Sequence, residues 1–105
     1  MKENDLTKYG FRKGFNPEKR FTKKTKVGNF IVSTVDLGIN HQFEKSKPPL
    51  YYETMIFTNS VDVEDKNPFA YFQQRYSTKK QALAEHKKVI QMVKEYLKNE
   101  QSTNL

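Results

Sequence analysis

The chain has no cysteine. Without thiols there is no disulfide framework and no thiolate metal site, a composition that fits a reducing compartment. Long hydrophobic runs are also missing. No apolar stretch approaches the roughly 18 residues that a membrane-spanning helix needs, so no membrane partner is expected. The first residues, Met1-Lys2-Glu3-Asn4-Asp5, are polar with no apolar segment behind them, and no secretory signal is expected. The two histidines and scattered carboxylates show no His-x-x-x-His or comparable ligand spacing, so neither a metal nor another cofactor is expected. A phosphate-cradling glycine loop and the Gly-x-Ser-x-Gly nucleophile elbow are absent too. Any enzyme chemistry would have to rest on isolated polar side chains.

What is present is one small domain's worth of sequence, 105 residues with 35% hydrophobic and 30% charged side chains. The 13% aromatic content argues against wholesale disorder. The formal charge of +7 is unevenly spread. Residues 1–28 hold nine Lys/Arg against three Asp/Glu, a net +6, whereas residues 29–105 carry a net +1. The basic character therefore belongs to an N-terminal stretch and points to an acidic partner.

Residues 1–19 contain Gly10, Gly14 and Asn16-Pro17 without sustained periodicity, and read as an arm. Its aromatics, Tyr9, Phe11 and Phe15, alternate with cations. They stack on bases while the cations meet phosphates, or they pack down on the body. Strand patterns follow at about 20–26, 30–37, 50–57 and 69–76. Lys23, Lys24 and Lys26 on the first of these are typical edge protection. Val27-Gly28-Asn29 reads as a tight turn. In the second strand Ile31, Ser33, Val35 and Leu37 form the better core face. The third strand is apolar on both faces and is expected to be central and covered on both sides. Ser77-Thr78 signals a helix N-terminus. The helix then runs to about Lys98 with an apolar stripe of Leu83, His86, Ile90, Val93 and Leu97. The expected fold is α+β: an antiparallel sheet of three to four strands with the helix on one face. The expected layout is a basic arm over 1–19, a domain over 20–98 and a flexible tail over 99–105. One helix covers one sheet face, so the arm's aromatics or a second subunit would cover the other, and a homodimer is one outcome.

Four polar residues are candidates for chemistry: Asp36, His41, Glu53 and His86. Glu53 sits mid-strand and His86 on the helix stripe. If they met, the pair would serve either an active site or a self-satisfied core. His41 lies in the long polar connection 39–49, the kind of loop that often carries function.

The stretches Val27-Gly28, Val32 to Phe43, Pro48 to Phe57, Arg75 to Thr78 and Ala82 to His86 resemble a family of small proteins common in tailed-phage and prophage genomes. Its pattern reads V-S-T-V-x-L-G-L-D-H, then P-P-x-x-F-E-T-M-V-F, then R-Y-x-T-x-x-E-A-x-x-G-H. The resemblance implies a phage origin and singles out His41, Glu53 and His86, but it implies no activity. The chain departs from the pattern at Asp36, Asn40 and Glu85, where the family has an aromatic, an acid and a glycine. The missing acid beside His41 weakens an acid–histidine catalytic reading.

The expectation is therefore a phage-encoded, non-enzymatic accessory binding module in the bacterial host cytoplasm or the virion. It engages nucleic acid through Lys8, Arg12, Lys13, Lys19, Arg20, Lys23, Lys24 and Lys26. The alternatives are a binder or inhibitor of an acidic host or virion protein, and a small enzyme using Glu53 and His86.

Overall fold

Four strands form one antiparallel sheet in the order β1-β2-β3-β4, and a single long helix lies across it. The computed structural model describes residues 6–58 and 67–103, with side chains up to Glu100. The stretch 59–66, which reads in sequence as a polar, acidic loop, lies outside the described residues, as do the first five residues and the last two. The strands are β1 (Thr22–Val27), β2 (Phe30–Asp36), β3 (Tyr52–Thr58) and β4 (Gln73–Tyr76). The helix, α1, spans Lys79–Thr103 and so continues past the end expected at Lys98.

Each link follows from local chemistry. Gly28 takes φ +60° in the two-residue β1–β2 turn, while among the described residues only glycines adopt positive φ. Positive φ at the first turn position alone is the type II′ signature, which matches strand twist. The stretch expected to open the fourth strand at Phe69 is instead a turn. The Asn67 side chain accepts from the Phe69 amide at 2.8 Å, and the Phe72 amide donates to the Phe69 carbonyl at 3.0 Å. Asn67-Pro68 therefore folds the chain back on itself, and only Gln73–Tyr76 pair with β3. Thr78 caps α1, its hydroxyl accepting from the Gln81 amide at 3.1 Å.

Register decides which side chains share a face. Opposite one another lie Lys23, Thr34, Thr54 and Gln74, then Thr25, Val32 and Ile56, then Val27, Phe30 and Thr58. The helix covers this face. The core is Val27, Phe30, Val32 and Ile56 beneath Val89 and Val93, with Phe69, Phe72, Ile90, Tyr96 and Leu97 packed around it. Phe30, Phe69 and Tyr96 meet edge to face at 5.3–6.0 Å between centroids.

The core face expected for β2 is thus the wrong one. Phe30, Val32, Thr34 and Asp36 are buried, whereas on the other side only Ser33 is buried and Ile31 and Val35 are half-buried. The helix accordingly packs on Phe30, Val32 and Ile56 and not on the expected face of Ile31 and Val35. The buried helix stripe is correspondingly Ala82, His86, Val89 and Val93, rotated from the expected one. β3 is central as expected; on the side away from α1 its burial falls along the strand, from buried Glu53 through half-buried Met55 to Phe57, which is 47% exposed.

Candidate nucleic-acid interface

The face opposite α1 is built in three rows across the strands. Thr22, Val35, Glu53 and Arg75 make the first, Lys24, Ser33, Met55 and Gln73 the second, and Lys26, Ile31 and Phe57 the third. Among the described residues no helix packs on it. It has an apolar centre of Ile31, Val35, Met55 and Phe57 and a cationic rim from Lys24 and Lys26 on edge strand β1. Its one carboxylate among the described residues, Glu53, is buried and accepts from Arg75 Nε at 3.0 Å and Gln73 Nε2 at 2.7 Å. That ion pair neutralises the acid, so the face presents net positive charge from Lys24 and Lys26. Neither lysine has an ion-pair partner among the described residues. A shallow depression of about 220 Å³ opens beside β4, lined by Met55, Ala70, Tyr71, Phe72 and Gln73. Tyr71 at its edge is 99% exposed.

The sequence-predicted cations divide into four groups. Lys24 and Lys26 rim the open face. Lys8, Lys13, Lys19 and Arg20 are exposed on the arm, with Lys8 Nζ 5.4 Å from the Tyr9 ring centre. Lys23 lies in the helix-facing row, where its charge disfavours protonation of His86. Arg12 is committed inward. Its guanidinium grips Asp36 with two bonds of 3.1 and 2.5 Å and lies over the rings of Tyr51 and Phe15. The hydrogen bonds to Asp36 hold the Arg12 pKa above its ordinary value.

The arm is therefore docked, not loose. Phe15 is buried and stacks on Phe11 at 5.3 Å. Phe11 bridges to Ile39, and the Arg12 amide donates to the Gly38 carbonyl at 2.6 Å. Gly38 takes φ +75°, and a Cβ there would sit 2.7 Å from the Phe15 ring, so glycine is required on both counts. Of the two readings for these aromatics, packing on the body holds for Phe11 and Phe15. Tyr9 is exposed.

Glu53 and His86 do not meet. Both are buried, but they point to opposite faces of the sheet, and their partners are different. His86 Nε2 lies 2.9 Å from Thr25 Oγ1 and Nδ1 lies 2.7 Å from Thr34 Oγ1. Thr34 in turn meets Thr54 at 2.5 Å. A neutral ring offers one donor and one acceptor, and rotating hydroxyls complete the chain for either tautomer. Burial pushes the His86 pKa down, helped by Lys23. Burial likewise pushes the Tyr76 phenol up, partly offset by the Thr54 hydroxyl. The enzyme reading built on a Glu53–His86 pair falls with this separation.

His41 belongs to a pinned loop. Its amide donates to the Leu50 carbonyl at 3.1 Å, and Asn40 Oδ1 accepts from both the Gln42 and Leu50 amides at 2.8 Å. Asn40, a departure from the phage pattern, thus closes the neck of the 39–49 loop. The loop's tip leaves Phe43 97% exposed.

Sequence reasoning missed Phe57, Tyr71 and Arg75. The signal was there in part: Phe57 and Met55 share a parity with Glu53. It was hidden by choosing the wrong face of β2. Compared with protein-family models, with curated proteins and with solved structures, the chain matches none.

Proposed function

We propose that this protein binds nucleic acid, using the cations of its docked N-terminal arm and of strand β1 to contact phosphates. The observation that carries this reading is the juxtaposition of Lys24 and Lys26 with a sheet face that no helix covers among the described residues, and on which Glu53 is already paired to Arg75. Lys13, Lys19 and Arg20 add exposed positive charge on the segment leading into that edge. A surface on which cations outnumber acids attracts polyanions and releases their counterions on contact. In the setting implied by the phage resemblance, the protein acts as an accessory factor in the infected bacterial cytoplasm or in the particle.

The test is the salt dependence of binding to labelled DNA. Each phosphate neutralised contributes about −0.9 to the slope of log affinity against log salt on duplex, or about −0.7 on single strands. With Arg12 engaged internally, about four contacts from Lys13, Lys19, Arg20, Lys24 and Lys26 give a slope near −3 on a single strand. Absence of affinity for DNA and RNA at about 50 mM salt, where this electrostatic attraction is strong, contradicts the reading.

A further inference from the structure

We infer that the open sheet face is a stacking platform for single-stranded nucleic acid, with bases laid on Phe57 and the backbone tracking Lys24 and Lys26. This rests on the nucleic-acid reading above and adds to it the strand state of the ligand and the residue that meets the bases.

The two faces of the sheet are covered differently. One face is closed by α1 and holds the core. The other leaves Phe57 47% exposed at the β3 end of the third row. Lys26, Ile31 and Phe57 stand directly opposite one another on three successive strands. Neighbouring strands lie about 4.8 Å apart, so the backbones at Lys26 and Phe57 are separated by about 10 Å. A lysine side chain bridges much of that span, so a phosphate at the β1 edge leaves its base over Ile31 and Phe57. Lys24, one row along, repeats the arrangement beside Ser33 and Met55. The depression beside Met55, Phe72 and Gln73, with exposed Tyr71 at its edge, extends the apolar track toward β4.

Such a surface suits unpaired bases. A duplex hides the faces of its bases and would offer phosphates to the lysines but nothing to Phe57. A single strand presents both together, and aromatic stacking tolerates any base. Charge argues against a second copy as the occupant. Two copies face to face would bring Lys24 and Lys26 of each against a surface of the same sign, with Glu53 already spent on Arg75.

The test uses the full chain and fluorescence anisotropy with labelled dT15 and a 15-base-pair duplex, beside sedimentation velocity without DNA. Phe57→Leu keeps apolar volume on the sheet and removes the ring; Lys26→Ser removes the rim charge. Lys87→Ser, an exposed change on the helix, is the control. The expected result is dT15 bound at least about ten-fold tighter than duplex, weakened about ten-fold by Phe57→Leu and several-fold by Lys26→Ser. Melting temperatures should stay unchanged, and the control should stay near the parent. If duplex binds as tightly as dT15, or Phe57→Leu binds dT15 like the parent, this inference is overturned while the nucleic-acid reading stands on the cations. If the parent binds neither probe, both fall. If Phe57→Leu turns a dimer into a monomer, the face belongs to a second copy and the platform is overturned.

Discussion

At the scale of single residues, the core contains an unusual polar thread of Thr25, His86, Thr34 and Thr54. Every buried side-chain polar atom among the described residues has a partner, so the thread costs little as long as His86 is neutral. Protonation would place a charge where His86 has 0% exposure. The unfolded chain protonates near the ordinary histidine value of about 6.5, while the folded value lies lower. Unfolding therefore takes up protons below about pH 6.5, and stability falls as pH drops through that value until it passes the folded pKa. The loss is at most about 1.4 kcal/mol per pH unit from this group. Thermal melts from pH 8 to 5 should show the decline, and the His86 ring resonances should stay in their neutral position above the ordinary value. A ring that titrates at 6.5 or higher contradicts this account. Thr34→Val, which strips His86 Nδ1 and Thr54 of their shared partner, should cost about 1–3 kcal/mol in denaturant unfolding.

At the scale of elements, the type and order of the strands and the helix were legible because each carries its own signal: Gly28 in the turn, lysines on an edge, Ser77-Thr78 before the helix. The choice of face was not. Counting apolar residues favours Ile31, Val35 and Leu37 over Phe30, Val32, Thr34 and Asp36, and a parity error moves every side chain of a strand to the other side. The polar members of the true core face are answered by residues far away in sequence. Thr34 meets His86, and Asp36 meets Arg12. No local pattern announces such partners. The Asn67 turn shortened β4 for a similar reason, since a side-chain cap competed successfully with pairing. Helix-on-sheet packing through the observed face predicts that Ile56→Ala destabilises by about 2–5 kcal/mol. A Met55→Ala change on the open side should cost clearly less. Equal losses in urea titrations would mean that both faces are covered.

At the scale of the whole molecule, the basic N-terminal stretch combines a charge excess with docking contacts to the body. Its charge excess was plain in the sequence, as was its aromatic content. Its docking was not, because the bridge from Arg12 to Asp36 spans the arm and the body. Arg12, Phe11 and Phe15 tie the stretch to Gly38, Ile39 and Tyr51, and thereby hold Lys13, Lys19 and Arg20 near the β1 edge. Removing residues 1–19 consequently does more than lower the charge. It uncovers apolar surface and leaves buried Asp36 without its guanidinium, and should lower the melting temperature by several degrees. Gly38→Ala should do much the same by displacing the Phe15 ring. A truncated chain that melts with the parent would mean that the arm is not docked.

The central claim is that ligand meets the face opposite α1. An amide-resolved NMR titration of the labelled protein with dT15 at low salt tests it most directly. The account predicts that the resonances that move are those of Lys24, Lys26, Ile31, Met55, Phe57 and Gln73, while Val89, Val93 and the rest of the helix stay in place. Shifts concentrated on α1 or on the 39–49 loop, or none at all, would contradict it.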